Sequence, residues 1–420
     1  MSNKTNKLWT KNFSIITIGS IISMLGNSVS GFAIGLMVLD YTNSTFLFAL
    51  FMVIYNLPKV AAPLFAGPYV DRFSRKKVIY TLDFMSAALY IILFFFITSG
   101  AFNYIILLFL TLIVGTIDGI YAVAYESLYP NLITEGNYSK AYSISSMIYP
   151  LAAFMVPIAS IIYNKFGTPA PLFLFNAFTF LIAACFETKI DYCEQHLVTN
   201  KIEKFNFKQY KLDFKESLKY IGQEKGLLTI TAYFCLTMFA SSGSGTLFLP
   251  FFKNNPDLFS NIPIDVVTLF SIITCFGVFG RLVGALIHYK FKYPTNKKFA
   301  IAISVYTIIA ILEATQLYFP IVLMAISFFL VGILGVTSFN IRISATQSYI
   351  PDTIRGRFNG VFQMLCTLGS IVGQLLAGAL GEFINERIVI IIFMCINMLG
   401  VIFIMYRGKE HVKKIYNRNV

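Results

Sequence analysis

The sequence predicts an all-α integral membrane protein with twelve transmembrane helices in two pseudo-symmetric six-helix bundles. Three observations carry that prediction. The 420 residues are 57% hydrophobic and only 13% charged, with a mean hydropathy of +0.71, whereas a soluble globule is about one quarter charged. Apolar runs of roughly 20 residues, the length a bilayer requires, recur along the whole chain. The basic residues gather in alternate loops, so the strong positive balance of +13 describes one face of a membrane and not a nucleic-acid surface.

Hydropathy and helix breakers place the spans at 13 to 39, 44 to 67, 78 to 99, 103 to 126, 140 to 163, 168 to 186, 227 to 252, 265 to 289, 299 to 318, 320 to 344, 359 to 381 and 386 to 406. The polar start, Met1 to Asn12, lacks the form of a cleaved leader, so the first span is expected to remain in the mature protein. Trp9 stands where an interfacial anchor would. Lys165, Lys253 and Arg387 fall in loops assigned outside, and Lys59, Arg281 and Arg342 within spans. Every other Lys and Arg falls on one side, which positive-inside bias makes cytoplasmic. An even number of spans puts both termini on that side. The predicted location is the plasma membrane.

Between spans 6 and 7 the composition changes. Residues 187–226 hold eight lysines and seven acids and divide the chain into an N-terminal bundle, 1–186, and a C-terminal bundle with its tail, 227–420. Phe207, Tyr210, Phe214, Leu218 and Ile221 recur at helical spacing, as in an amphipathic helix on the membrane surface or a solvated linker helix. The halves repeat one another. Asn27 to Gly31 matches Ser241 to Gly245, Gly67 with its basic loop matches Gly284 with its own, and Leu128-Tyr-Pro130 matches Tyr349-Ile-Pro351, in the same order. In this alignment His288 stands opposite Asp71.

Ionisable residues inside apolar spans cost about 3 kcal/mol each to insert, so each is a functional candidate. Asp118 in span 4 and Arg342 in span 10 lie at similar depths before Pro130 and Pro351 on pseudo-equivalent helices. They are expected to face one cavity, their pairing and protonation forming a gate or a proton relay. Lys59, following Pro58, needs an acid, a wet cavity or a route by which its stem reaches the interface. Glu313 in span 9 completes the coupling set. Asn27, Ser30, Ser241, Ser244 and Asn56 either line a wet path or mediate helix packing. No single one of the 43 Phe and 24 Tyr stands out from the others.

Cysteines 185, 193, 235, 275, 366 and 395 lie mostly inside apolar runs without paired spacing, so neither a disulfide frame nor a zinc site is indicated. The sequence holds no Gly-rich nucleotide loop and no HExxH helix. It therefore predicts a protein that is not an enzyme and uses no metal or cofactor.

The tight loop after span 2 reads Gly67-Pro-Tyr-Val-Asp71-Arg72-Phe-Ser-Arg75-Lys76-Lys77. A Gly there lets two helices approach, the Asp can accept from free amides at a helix start, and the basic groups hold the loop at lipid phosphates. This loop resembles the signature between helices 2 and 3 of the major facilitator superfamily, with Ser74 where the family usually has a second Gly. With Leu25-Gly26-Asn27, Thr42-Asn43-Ser44, Pro58, Asp83, Pro130 and Arg355-Gly356-Arg357, the chain looks like the macrolide-efflux-type, drug:proton antiporter branch.

The resemblance implies a monomeric, proton-coupled exporter of amphiphilic small molecules working by alternating access. The loop would be its conformational latch, with Asp71 and Arg72 against the start of span 11 and Asp83 serving the basic residues beneath. An importer of a small metabolite and a translocator of lipid or lipid-linked glycan would share the fold. Span 5, with Tyr149-Pro150-Leu-Ala-Ala and no glycine, departs from the antiporter pattern, whereas span 11 keeps Gly369, Gly373 and Gly378.

Overall fold

A computed structural model describes residues 7–70, 73–100, 102–134, 137–194, 215, 219–290 and 294–418. The side chains at 60, 62–70, 138–140, 142–143, 146, 289–290, 295, 347 and 352–357 are not described. Asp71, Arg72, Phe207, Tyr210, Phe214 and Leu218 lie outside the described residues, and Gly67 is described in its backbone alone.

The fold is all helical, with no strand among the described residues. In the first half lie α1 (Lys11–Thr42), α2 (Thr45–Val70), α3 (Arg75–Thr98), α4 (Tyr104–Leu128), α5 (Tyr138–Ala153), α6 (Met155–Phe166) and α7 (Ala170–Glu187). The second half holds α8 (Lys225–Asn254), α9 (Val266–Lys290), α10 (Lys298–Thr315), α11 (Ile321–Tyr349), α12 (Asp352–Gly381), α13 (Glu386–Gly400) and the short α14 (Lys409–Tyr416). Among the described residues eleven helical segments are long and apolar enough to cross a membrane, and α2 has a shorter apolar stretch, Thr45–Lys59.

Local chemistry sets the ends. Thr10 accepts from the Phe13 amide and starts α1, and Asn103 accepts from the amides of Ile105 and Ile106 to start α4. Both satisfy donors that a helix start leaves free. Asn43 takes the left-handed conformation, φ 48°, at the end of α1, and its N–H bonds Leu39 O at 3.0 Å. Asn is one of the few non-glycine residues that tolerates this geometry. Trp9, exposed just before α1, meets Phe13 edge to face at 5.3 Å.

Two departures from the predicted spans have physical causes. Span 5 is broken at Phe154 into α5 and α6. Pro157 cannot donate to Ala153 O, so the ladder is interrupted there and the Phe154 N–H turns to Leu151 O at 3.2 Å. The helix of span 11 starts at Asp352, seven residues before the apolar run, directly after Pro351. Hydropathy finds the part of a helix that sits in lipid, while backbone bonding carries the helix on through the polar Asp-Thr-Ile-Arg-Gly-Arg stretch. The last span ends in a π-helical turn, Val401–Tyr406.

The chain divides into two compact units, 1–43 with 51–205, and 44–50 with 206–420. In the first, α7 packs on both α1 and α3. A buried polar chain ties these three helices together. Asn176 Nδ2 donates to Ser30 Oγ at 2.7 Å, Ser30 Oγ meets Tyr90 OH at 3.1 Å, and Thr179 Oγ1 donates to Asn176 Oδ1 at 3.0 Å. Gly26 makes room for it, because a Cβ there would lie 2.0 Å from both Asn176 Oδ1 and Thr179 Oγ1. Replacing Asn176 with Leu leaves Ser30 and Thr179 without that partner, and a loss of about 1–3 kcal/mol is expected. Thermal unfolding in detergent measures it.

In the second unit α8 packs on α12 and α13, and α9 on α11. Two apolar cores form. One centres on Tyr233, Phe234, Tyr306 and Tyr416, the other on Phe251, Phe252, Phe259 and Phe393. Large apolar residues also face outward, among them Phe95, Ile105, Phe109, Leu286, Val322 and Phe403. A bilayer covers such faces without a protein partner.

Candidate functional site

Near the midpoint of α4, Gly115 lies directly against α2. A Cβ there would be 2.3 Å from Tyr55 O and 3.5 Å from Pro58 Cγ. One turn later on the same face, Asp118 reaches back to α2. Its Oδ2 accepts from Tyr55 OH at 2.8 Å and pairs with Lys59 Nζ at 3.2 Å. Tyr55 and Lys59, four residues apart, share a helix face, and Lys59 Nζ stands 3.7 Å from the centre of the Tyr55 ring.

The pair is not sealed inside the protein, Lys59 being 34% exposed and Asp118 14%. Two formal charges placed among apolar helices thus neutralise each other, and a phenol donor holds the carboxylate's orientation. Asp118 and Lys59 make a charge contact between α4 and α2. The sequence points to Asp118 and Lys59 by cost of insertion. It does not single out Tyr55, whose only signal is its helical spacing from Lys59.

Within the second unit, Arg342 stands among aromatic rings. Its guanidinium stands 4.9 Å from the Phe234 ring centre, 4.8 Å from Phe362 and 5.4 Å from Phe339. Such contacts satisfy a cation by the ring quadrupole at about 0.5–2 kcal/mol each. Asp118 has its ion pair with Lys59 because Gly115 brings α4 against α2.

Glu313 on α10 accepts from Ser241 Oγ on α8 at 3.2 Å, and Arg281 on α9 contributes electrostatic attraction. The second unit therefore has its own carboxylate among apolar helices, and two residues selected for different reasons meet there. Replacing Ser241 with Ala removes one hydrogen bond to the Glu313 carboxyl group. A loss of about 1–3 kcal/mol is expected, against a neutral or slightly stabilising effect for Gly245→Ala, where a Cβ meets nothing within 4 Å.

The other expected cavity residues separate. Ser30 is fully buried in the Asn176 chain, a packing position. Ser244 is buried with no described partner for its Oγ. Asn27 is half-buried, its carbonyl facing Ser30 Oγ at 3.4 Å, and Asn56 donates to Met52 O of its own helix at 2.8 Å.

Of the basic loop, Arg75, Lys76 and Lys77 are described. Ser74 caps α3 by accepting from the Lys77 amide. Glu194, past the end of α7, accepts from the Arg75 and Lys76 amides at 3.0 and 2.9 Å. This is an acid at a helix start, where the dipole favours it. Arg75 Nη1 donates to Ser127 O at 3.1 Å and Lys76 Nζ to Tyr192 O at 3.1 Å. Asp83 is buried, 1% exposed. Neither Glu187 nor Glu194 is among the residues the sequence singles out, since both stand at the start of the polar linker and read there as solvated charge. Opposite Asp71 in the repeat, His288 Nε2 meets Thr337 Oγ1 at 2.7 Å and joins α9 to α11.

Among the described residues no group of His, Cys, Asp and Glu is arranged to hold a metal ion, and the six cysteines are free thiols.

Comparison with known proteins agrees with this geometry. The chain is 25% identical over 288 residues to an uncharacterized MFS-type transporter, YkuC, of Bacillus subtilis (strain 168). That match spans 67% of this chain and 66% of the relative, just under two thirds of its length. Among solved structures, the nucleoside transporter NupG superposes with a TM-score of 0.72 at 15% identity, covering 95% of this chain and all of that one. A peptide transporter POT in complex with sulfate gives 0.71 at 13% identity, covering 97% and 96%. At such identities the likeness is one of fold. The sequence profile of the Major Facilitator Superfamily matches residues 16–373. The chain is a multi-pass membrane transporter and not an enzyme, and it belongs to the Major Facilitator Superfamily.

Proposed function

We propose that this transporter is a proton-coupled exporter of amphiphilic small molecules, of the macrolide-efflux type, that works as a monomer in the plasma membrane with both termini cytoplasmic. The bundles are 1–186 and 227–420, joined by the linker 187–226. They alternate access to a substrate whose path includes Asn27, Asn56, Ser241 and Ser244. The loop Gly67, Asp71, Arg72, Arg75, Lys76 and Lys77, held at lipid phosphates, latches one state. The observation that supports the reading most is the Lys59–Asp118 pair. It is an acid near mid-helix, not sealed inside the protein, whose protonation would release a base. Glu313 in the second unit is the other carboxylate of the coupling set, and Arg342 is held ready among aromatic rings.

One proton falling through roughly 100 mV releases about 2.3 kcal/mol. At about 1.4 kcal/mol per tenfold it sustains roughly a fifty-fold substrate gradient. The test is transport by the full chain in proteoliposomes under an imposed pH gradient with a panel of amphiphiles. Proton-driven extrusion is expected. Proton-driven uptake of a small metabolite, or transport that depends on a lipid head group, overturns the exporter reading in favour of an importer or a lipid-linked translocator.

A further inference from the structure

Arg342 offers a place for an anion inside the second unit. It stands on α11 within Ile321–Thr346, a stretch apolar enough to cross a membrane. Its guanidinium lies against Phe234 of α8 and Phe362 of α12, with Phe339 of α11 as the third ring. The first two rings are buried and fixed by neighbours. Phe234 meets Tyr306 edge to face at 5.8 Å, and Phe362 stacks on Phe358 at 5.9 Å. Tyr306 is itself held through its hydroxyl, 3.0 Å from that of Tyr416. Phe339 is 53% exposed and Arg342 half-buried, so the ring of aromatics is open on that side.

Aromatic faces compensate the charge, yet Phe offers a donor no acceptor oxygen. The guanidinium carries several N–H donors in one plane. Its Nε is buried without a hydrogen-bond partner, and the guanidinium makes no hydrogen bond or ion pair with the described residues. A cation placed on ring faces with its donor edge unused fits the forked acceptor geometry of a carboxylate or a phosphate.

The open side is not the lipid side. At about 3.6 residues per turn, the exposed Val322, Leu323, Ile326 and Leu330 fall on one side of α11, an aliphatic face that a bilayer covers. Gly335, Phe339 and Arg342 fall on the opposite side. Gly335 precedes Arg342 by two turns, roughly 10 Å, and a Cβ there would meet nothing within 4 Å. On α8 the face that carries Phe234 continues through half-buried Ser241 to exposed Gly245, where a Cβ likewise meets nothing within 4 Å. We infer that Arg342 and its rings bind the oxyanion, a carboxylate or a phosphate, of an amphiphilic substrate whose apolar body lies over Phe339 and Gly335. This rests on the small-molecule transport reading above and narrows its substrates to amphiphiles that carry an acid group.

Equilibrium binding to the full chain in nanodiscs, without a pH gradient, tests the site. A failure of proton-driven export and a failure of this site are then read separately. The probes are pyrenebutanoate and, with the same apolar body, pyrenebutanol and pyrenebutyltrimethylammonium, each measured against protein-free nanodiscs. The wild type is expected to favour the carboxylate over the alcohol by about ten- to a hundredfold, and Arg342→Gln to abolish that preference. Gly335→Leu is expected to weaken carboxylate and alcohol alike and leave their ratio unchanged. Equal affinity for the two in the wild type, tighter binding of the ammonium, or a preference that survives Arg342→Gln overturns the proposal. Nanodiscs with and without phosphatidylglycerol identify the source of the oxyanion. The affinity ratio of wild type to Arg342→Gln for pyrenebutanoate is the readout, since surface charge acts on both alike. Its collapse in phosphatidylglycerol assigns the oxyanion to a lipid head group, and its persistence to a soluble substrate. Should Arg342→Gln fail to fold, Arg342→Lys keeps the charge and loses the fork. An undiminished preference in that variant overturns the forked contact.

Discussion

Asp118→Asn is expected to abolish proton-driven export while leaving substrate binding intact. In proteoliposomes, the roughly fifty-fold gradient that one proton sustains at about 100 mV falls to unity, and substrate exchange without a pH gradient persists. The geometry separates the two effects. The amide keeps the size of the acid and still accepts from Tyr55 at its present 2.8 Å, so α2 and α4 remain in register. It neither takes up a proton nor pairs with Lys59 at 3.2 Å. Lys59 is 34% exposed, and its long stem carries the ammonium toward the membrane interface once the partner is lost. Undiminished proton-driven export by Asp118→Asn would remove this residue from the coupling mechanism. Failure of the double variant Lys59→Met/Asp118→Asn to bind substrate would instead make the pair a structural element.

Gly373→Leu is expected to remove the folded state, with a cost of about 3 kcal/mol or more. On α12, Gly369 and Gly373 form a small-residue stripe against α8. A Cβ at Gly373 would stand 2.0 Å from Phe239 O, and one at Gly369 2.5 Å from Cys235 O. These atoms are backbone, and they yield only if the whole helix moves. Moving α8 away would also loosen Phe239, stacked on Phe393 at 4.9 Å, and with it the packing of α13. Size-exclusion profiles after heating report the effect. Gly245→Ala, into open space, serves as the control and is expected to be neutral or stabilising by up to about 1 kcal/mol. Ordinary thermal stability in Gly373→Leu would mean that α8 and α12 have room the structure does not show.

That stripe also recasts a sequence pattern. Gly369, Gly373 and Gly378 look like the glycine spacing of antiporters, and in the fold they are the places where α12 touches its neighbours most closely. Gly378 meets Ala49 and Thr45 in the same way. Close packing through small residues is what holds helices together in lipid, where the hydrophobic effect gives no drive to association.

Much of the fold was legible because lipid imposes a simple rule, that a backbone crossing it must be helical and apolar for roughly 20 residues. The family was legible in the loop from Gly67 to Lys77, and Asp118 and Lys59 were legible because charge among apolar residues is conspicuous. What stayed hidden was partner choice. Asp83 and Arg75 stand close together in sequence as acid and base, yet Asp83 is buried at 1% exposure while Arg75 donates to Ser127 O. Glu187 and Glu194 read as solvated linker charge. The first is sealed inside the bundle and the second caps α3.

By itself, then, the sequence determined the helices, their approximate ends, and which ionisable residues are costly enough to need a reason. Those follow from composition along the chain, since hydration and backbone bonding act locally. The tertiary structure alone decided that Asp118 meets Lys59 and Tyr55, that Arg342 sits among phenylalanine rings, and that Glu187 is buried inside the first unit. These pairings depend on which helix faces come together, and those faces are set by glycines such as Gly115 and Gly19, whose missing side chains act only on a neighbour that the linear text does not name.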